Sequence, residues 1–154
     1  MTFRYLLAAA AALASSVPAF AHGPHGFAPA PDGGLSWELL AGTAAVPWVD
    51  ANGVNRLAPQ FGPEVEALDG TLVTIAGYRM PDDTGNRFTL YGSEVDCVFH
   101  LDSGPNMRME VDAGDAPSPV AGVVTLRGRL ELVRARQGGV FYRLHDASWI
   151  APPA

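Results

Sequence analysis

The sequence has no lysine and only one cysteine, and each absence excludes a class of protein. All ten cationic side chains are arginine, against 16 acidic residues, so the formal net charge is -6. Without a basic run, the chain lacks the phosphate contacts that supply most of the affinity for nucleic acid. An anionic membrane surface is disfavoured for the same reason. One cysteine cannot form an internal disulfide, so Cys97 is buried, reactive, a ligand or paired with another molecule.

The sequence also lacks an apolar run of the roughly 20 residues that a membrane-spanning helix needs. Its longest apolar run, residues 6–14, follows Arg4 and precedes the small-residue site Ala19-Phe20-Ala21. This order is typical of a cleaved secretory signal peptide. We therefore predict a signal peptide over residues 1–21, a soluble protein exported to a bacterial periplasm, and no stable membrane insertion.

Three kinds of segment follow the signal peptide. Residues 22–34 are rich in glycine and proline without periodicity, which predicts a flexible leader. Residues 35–42 are compatible with a short helix, and residues 46–63 contain three prolines and read as irregular structure. From residue 68 onward the pattern is that of β-strands. A single β-barrel domain is thus expected over residues 35–151.

The clearest strand pattern lies between residues 122 and 133. Apolar side chains occupy every second position there, apart from a glycine at 128; they are Val124, Leu126, Leu130 and Leu132. A glycine in the apolar phase indicates a sharp bend or a close approach of another backbone. Similar alternation predicts five or six short strands in about eighty residues. That number favours a small antiparallel β-barrel of the OB type, with a two-sheet sandwich as the alternative.

Several motifs resemble, in order, those of the exported bacterial domain-of-unknown-function 3299 family. The most specific are "LDGTLVTIAGYRMP" at residues 68–81 and the segment that contains Cys97, His100 and Pro105-Asn106. The resemblance covers most of the exported chain. It implies an OB-type β protein and, because some members are encoded beside zinc-linked transport systems, a transport-system component as partner. The spacing of Cys97 and His100 is one residue longer than the family's usual Cys-x-His, and residues three apart on a strand face opposite sides.

Cys97 and His100 are the first candidates for metal ligands, since a thiolate and an imidazole suit zinc or copper. Two ligands are too few for a closed site. Further ligands are available in Asp96, Asp102, His145 and the leader histidines, and the leader, through His22 or His25, is the preferred source. Two other interpretations stay open: a buried thiol beside a solvated histidine, and a cysteine nucleophile with its base. Met107 and Met109 share a phase and could hold Cu(I), although methionine more often fills a core.

These features predict a soluble periplasmic accessory protein that binds or delivers zinc or copper in association with a transport system. The chain shows no complete set of catalytic residues, so an enzyme is not expected. The alternative function is a structural adaptor that docks on a membrane complex without a metal.

Overall fold

A computed structural model of the chain describes residues 26–80, 85–94, 104–114, 122–134 and 139–150. The predicted signal peptide lies outside these ranges. The described chain is mainly β, as predicted, with two short helices. No helix within these ranges is long and apolar enough to cross a membrane.

The predicted short helix is confirmed as α1, Trp37–Ala41. The Ser36 hydroxyl caps it by accepting a hydrogen bond from the backbone N–H of Leu39 at 3.3 Å. Trp37 and Leu40 are buried, and the Trp37 indole N–H donates to the carbonyl oxygen of Ala76 at 2.7 Å. The helix therefore packs against the barrel through both apolar contact and a hydrogen bond.

The prediction of irregular structure over residues 46–63 is wrong. Strand β1, Ala44–Val49, pairs antiparallel with β2, Asn55–Gln60. The Asp50 carboxylate accepts from the backbone N–H groups of Asn52 and Val54 in the turn between them. A second short helix, α2, follows at Pro63–Glu66. Both faces of the β1–β2 hairpin are largely exposed. The sequence therefore lacks the alternation of apolar and polar residues that indicates a half-buried strand.

The two prolines of the hairpin occupy equivalent places on its two outer edges. The backbone N–H of Asp50 donates to the carbonyl oxygen of Val54, so residues 50 and 54 are a hydrogen-bonded pair. Along an antiparallel ladder, hydrogen-bonded and non-hydrogen-bonded residue pairs alternate. The pairs Pro47–Leu57 and Ala45–Pro59 are therefore of the non-bonded class, whose backbone nitrogens face outward. Proline has no N–H to offer there, so both edges are blunted against pairing with another strand.

Five strands form a mixed sheet that closes on itself. They are β3, Leu72–Arg79; β4, Arg87–Tyr91; β5, Arg108–Ala113; β6, Gly122–Leu132; and β7, Tyr142–Ile150. Their order around the barrel is β3-β4-β5-β7-β6, and β6 pairs back to β3.

The prediction of a wholly antiparallel barrel is wrong at one seam, because β5 and β7 are parallel. Strand β6 crosses to the far side of the barrel and pairs with β3, and β7 then returns between β5 and β6. Alternation of apolar residues identifies strands but does not determine their relative direction, which depends on this crossover.

The apolar phases predicted from the sequence point into the barrel. Twelve inward side chains are buried; they are Val73, Ile75, Phe88, Leu90, Met109, Val111, Val124, Leu126, Leu130, Leu132, Tyr142 and Leu144. Gly128 lies where the backbone of β7 approaches β6 closely. A Cβ at this position would be 2.7 Å from the carbonyl oxygen of His145, and the register of β6 against β7 shifts between Arg127 and Arg129.

The described part of the leader packs against the sheet, although we expected residues 22–34 to be flexible. Ala28 is buried, and its backbone N–H donates to the carbonyl oxygen of Gly92 at 2.8 Å. Phe27 forms an antiparallel bridge with Ser93. The contact continues at Leu35, whose backbone N–H donates to the carbonyl oxygen of Thr74 at 2.7 Å. Apolar side chains among the glycines and prolines make this docking favourable.

Candidate functional site

The four predicted metal ligands, Cys97, His100, His22 and His25, all lie outside the described residues. Within the described ranges, no group of three histidine, cysteine, aspartate or glutamate side chains could hold a metal ion. The metal site therefore stays a prediction, and the structure contributes the placement of its neighbours.

Cys97 and His100 belong to the chain segment between β4 and β5. These strands pair antiparallel, and the backbone N–H of Gly92 donates to the carbonyl oxygen of Met107 at 2.9 Å. Residues 92 and 107 are thus held together at the base of the connection. The turn predicted at Gly104-Pro105-Asn106 is confirmed by the bond from the Met107 N–H to the Gly104 oxygen at 3.0 Å.

The leader is anchored at the same base. The Phe27–Ser93 bridge and the Ala28–Gly92 bond fix the chain two residues after His25 and four residues before Cys97. The bridge therefore joins the part of the leader that follows His25 to the part of the connection that precedes Cys97.

Asn106, which belongs to the family-like motif, has a structural role. Its side-chain amide donates to the carbonyl oxygens of Ala41 at 2.8 Å and Thr43 at 3.2 Å. It thereby fastens the start of β5 to the end of α1. The neighbouring Pro105 carbonyl accepts from the N–H of Phe141 at 3.3 Å, which joins the same turn to the start of β7.

The "LDG" block is structural as well. The Asp69 carboxylate accepts from the backbone N–H of Leu132 at 3.0 Å and pairs with Arg134. The Leu132 bond, followed by the Arg134 bond, lowers the pKa of Asp69. Gly70, at a φ of 71°, donates to the carbonyl oxygen of Leu130 at 2.8 Å. The block therefore starts β3 in register with the end of β6.

Tyr142 forms a second buried polar contact between the barrel and α1. Its hydroxyl bonds to the Leu40 carbonyl at 2.7 Å and to the Thr43 hydroxyl at 2.6 Å. Burial raises the pKa of Tyr142 to about 12. The side chain stays neutral at physiological pH, so its contribution is structural.

Met109 is fully buried in the barrel, whereas Met107 is only partly buried. The core interpretation is confirmed for Met109. Because its sulfur lies among apolar side chains of the core cluster, Met109 is not an exposed half of a copper-binding pair.

A polar groove on the outer face of β4, β5 and β7 was not predicted. It has a volume of about 630 Å³, and we call it the outer groove. Six polar side chains line it, two from each strand: Arg87 and Thr89, Glu110 and Asp112, and Arg143 and His145. Each pair occupies the polar phase of its strand, which the sequence displays. What the sequence does not display is that β7 lies beside β5.

The charges of the outer groove are arranged as cross-strand pairs. Arg87 bonds to Asp112 at 3.2 Å, and Arg143 bonds to Glu110 at 2.8 Å. The Glu110 bond is the main reason that the pKa of Arg143 is raised. At the edge of the groove, the His145 imidazole bonds to Glu131 at 2.6 Å.

No protein-family model, no curated protein and no solved structure matches this chain.

Proposed function

We propose that the protein is an exported, non-catalytic binding module that binds or passes on a transition metal, zinc or copper, as an accessory to a transport system. The observation that carries the proposal is the bridge between Phe27 and Ser93. It joins the leader, which contains His22 and His25, to the connection that contains Cys97 and His100. The transport-system partner rests on the resemblance to the domain-of-unknown-function 3299 family, to which we propose the chain belongs.

An OB-like barrel is part of the proposal. The strand order supports it: counted along the barrel, the strands run first, second, third, fifth, fourth, and the last returns to the first. The third and fifth strands are the parallel pair. Five short strands that close in this Greek-key manner are what an OB-type barrel requires.

Export to the periplasm is supported by the short apolar run of residues 6–14 and the small-residue site at residues 19–21. Cleavage after Ala21 produces a protein that begins at His22, with a free α-amine beside its imidazole. N-terminal sequencing of periplasmic material is expected to read His-Gly-Pro-His. A chain that retains Met1 and sediments with membranes would contradict export.

The ligand chemistry suits an exchangeable site. A cysteine thiolate and two or three imidazoles are zinc ligands at about 2.3 Å and 2.0 Å from the metal. If Cys97 and His100 bind one zinc ion, their sulfur and nitrogen lie about 3.5 Å apart. A third ligand supplied by the leader leaves the tetrahedron open, and an open position favours transfer of the metal over permanent structural binding.

Zinc titration of the exported protein tests the metal site. We expect Cys97→Ser, His100→Ala and removal of residues 22–26 each to weaken binding at least about tenfold, or about 1.4 kcal/mol. The control is His145→Ala, which removes a histidine of the outer groove and should leave zinc affinity unchanged. If the parent binds no zinc at micromolar concentration, or if all variants bind as the parent does, the metal function is wrong.

A structural adaptor is the second candidate, and the β1–β2 hairpin favours it. Pro47, Val49 and Leu57 lie on one face of the hairpin and are exposed, Val49 by 60%. The only charges of the two strands and their turn, Asp50 and Arg56, pair with each other at 3.0 Å. A neutral apolar surface of this kind suits docking on a protein partner. Metal content after purification without chelator separates the two functions, since an adaptor carries none.

A further inference from the structure

The outer groove is independent of the proposed metal site. None of its lining residues belongs to the connection between β4 and β5 or to the leader. Its floor is the backbone around Phe88, Val111 and Leu144, whose side chains point into the core. The floor belongs to strands that already pair with each other. A ligand must therefore be recognised by the polar side chains of the walls.

The walls exclude ligands with a dense charge of either sign. A polyanion would meet Glu110 and Asp112, and a polycation would meet Arg87 and Arg143. Within each of the two ion pairs of the groove, the positive charge of the arginine offsets the negative charge of the carboxylate. All four side chains are between 43% and 84% exposed, and ion pairs at that exposure contribute little to stability. A neutral polar group of a ligand can therefore bind beside either ion pair without leaving a buried charge unpaired.

The walls also disfavour an extended peptide, because all six side chains that project into the groove are polar and offer no apolar pocket for its side chains. Guanidinium groups donate hydrogen bonds, carboxylates accept them, and the Thr89 hydroxyl does both. A ligand that carries hydrogen-bond donors and acceptors on all its faces can therefore bind to both the guanidinium groups and the carboxylates. The groove volume of about 630 Å³ lies within the usual range of ligand sites.

We infer that the outer groove binds a short neutral oligosaccharide through its hydroxyl groups. Glu110 and Asp112 accept from those hydroxyls, while Arg87 and Arg143 donate to them from the two sides. The site goes beyond the proposed metal function and does not depend on it.

Chemical-shift mapping with the purified protein tests this inference. The probes are maltotriose, cellotriose and triacetylchitotriose at millimolar concentration, with a neutral Gly-Ser peptide for comparison. We expect saturable shifts of the backbone amides of residues 87–89, 110–112 and 143–145 with at least one of the sugars. No saturable shift with any sugar, shifts confined to other surfaces, or binding of the peptide alone would overturn the inference.

Two variants then test the hydrogen-bonding side chains of the groove. Glu110→Gln and Thr89→Val should each weaken sugar binding about tenfold, because the first replaces one acceptor oxygen of a charged carboxylate by an amide and the second removes a hydroxyl group. The matched control is Glu66→Gln, which breaks another exposed glutamate–arginine pair away from the groove and should change nothing. Equal affinity in all three variants would overturn the inference. Cys97→Ser should bind sugar as the parent does, so failure of the metal site and failure of the groove are distinguishable.

Discussion

At the scale of single residues, one of the polar contacts that join α1 to the barrel falls on a position that looked functional in the sequence. Asn106 stands in the motif with Cys97 and His100, yet its side-chain amide satisfies two backbone carbonyls. A polar residue beside a candidate site is therefore no indication by itself that the residue acts in that site.

Replacing Asn106 should destabilise the fold. Asn106→Ala leaves the partly buried carbonyls of Ala41 and Thr43 without their donor, which should lower the free energy of unfolding by about 1–3 kcal/mol. Asn106→Asp should cost at least as much, because a carboxylate cannot donate to a carbonyl. Urea unfolding measures both changes. Asn55→Ala, at an exposed position of the hairpin, is the control; an equal loss there would remove Asn106 from its assigned role.

Tyr142 should make stability fall at alkaline pH. Its pKa rises from an ordinary 10.0 to about 12 on folding, chiefly through burial, so between those values the unfolded chain releases a proton that the folded chain retains. The free energy of unfolding therefore declines as the pH rises from about 10 to about 12. Urea unfolding across this window should show a steeper decline in the parent than in Tyr142→Phe. Identical slopes would show that the hydroxyl is not buried.

At the scale of strands, the close approach of β6 and β7 depends on Gly128. Gly128→Ala places a Cβ 2.7 Å from a backbone oxygen and 2.8 Å from Leu144 Cγ, and a backbone oxygen cannot move aside cheaply. The expected loss is about 1–3 kcal/mol in thermal or urea unfolding. Gly114→Ala, where a Cβ meets nothing within 4 Å, should change stability by less than about 0.5 kcal/mol. A neutral effect at both positions would contradict the tight contact.

Strands β6 and β7 were predictable because one face of each is buried, which imposes a period of two on the apolar residues. Leu126 and Leu130 are buried on either side of Gly128, as expected. Strands β1 and β2 were not predictable for the opposite reason: with both faces exposed and two prolines present, no period appears. The direction of β7 depends on which strand it joins, and local sequence does not contain that information.

The features of the candidate site also fall into two groups, those that local sequence predicts and those that depend on distant contacts. The turn at Gly104-Pro105-Asn106 and the two flanking strands could be read from local sequence, since each is specified by its own residues. The docking of Phe27 beside Ser93 and the outer groove both depend on contacts between segments far apart in the chain. Cys97 and His100 lie outside the described residues, so their convergence stays a prediction.

At the scale of the whole molecule, the charge predicts that the barrel does not bind nucleic acid. Both carboxylates of the outer groove are paired with an arginine, and the chain as a whole carries a formal charge of -6. Neutralised phosphates are the main source of affinity for DNA. Fluorescence anisotropy with labelled single-stranded DNA at physiological salt should therefore show no saturable binding. Micromolar, salt-sensitive binding would show that local charge outweighs net charge.

The parallel seam between β5 and β7 also sets an order of events during synthesis. Until residues 142–150 have left the ribosome, β5 has no neighbour on one side and β6 has none on the other. A nascent chain that ends near residue 139 can form hairpins but cannot close the barrel. The chain thus stays open until β7 has been synthesised, and β7 then closes the barrel by pairing with β5 on one side and β6 on the other.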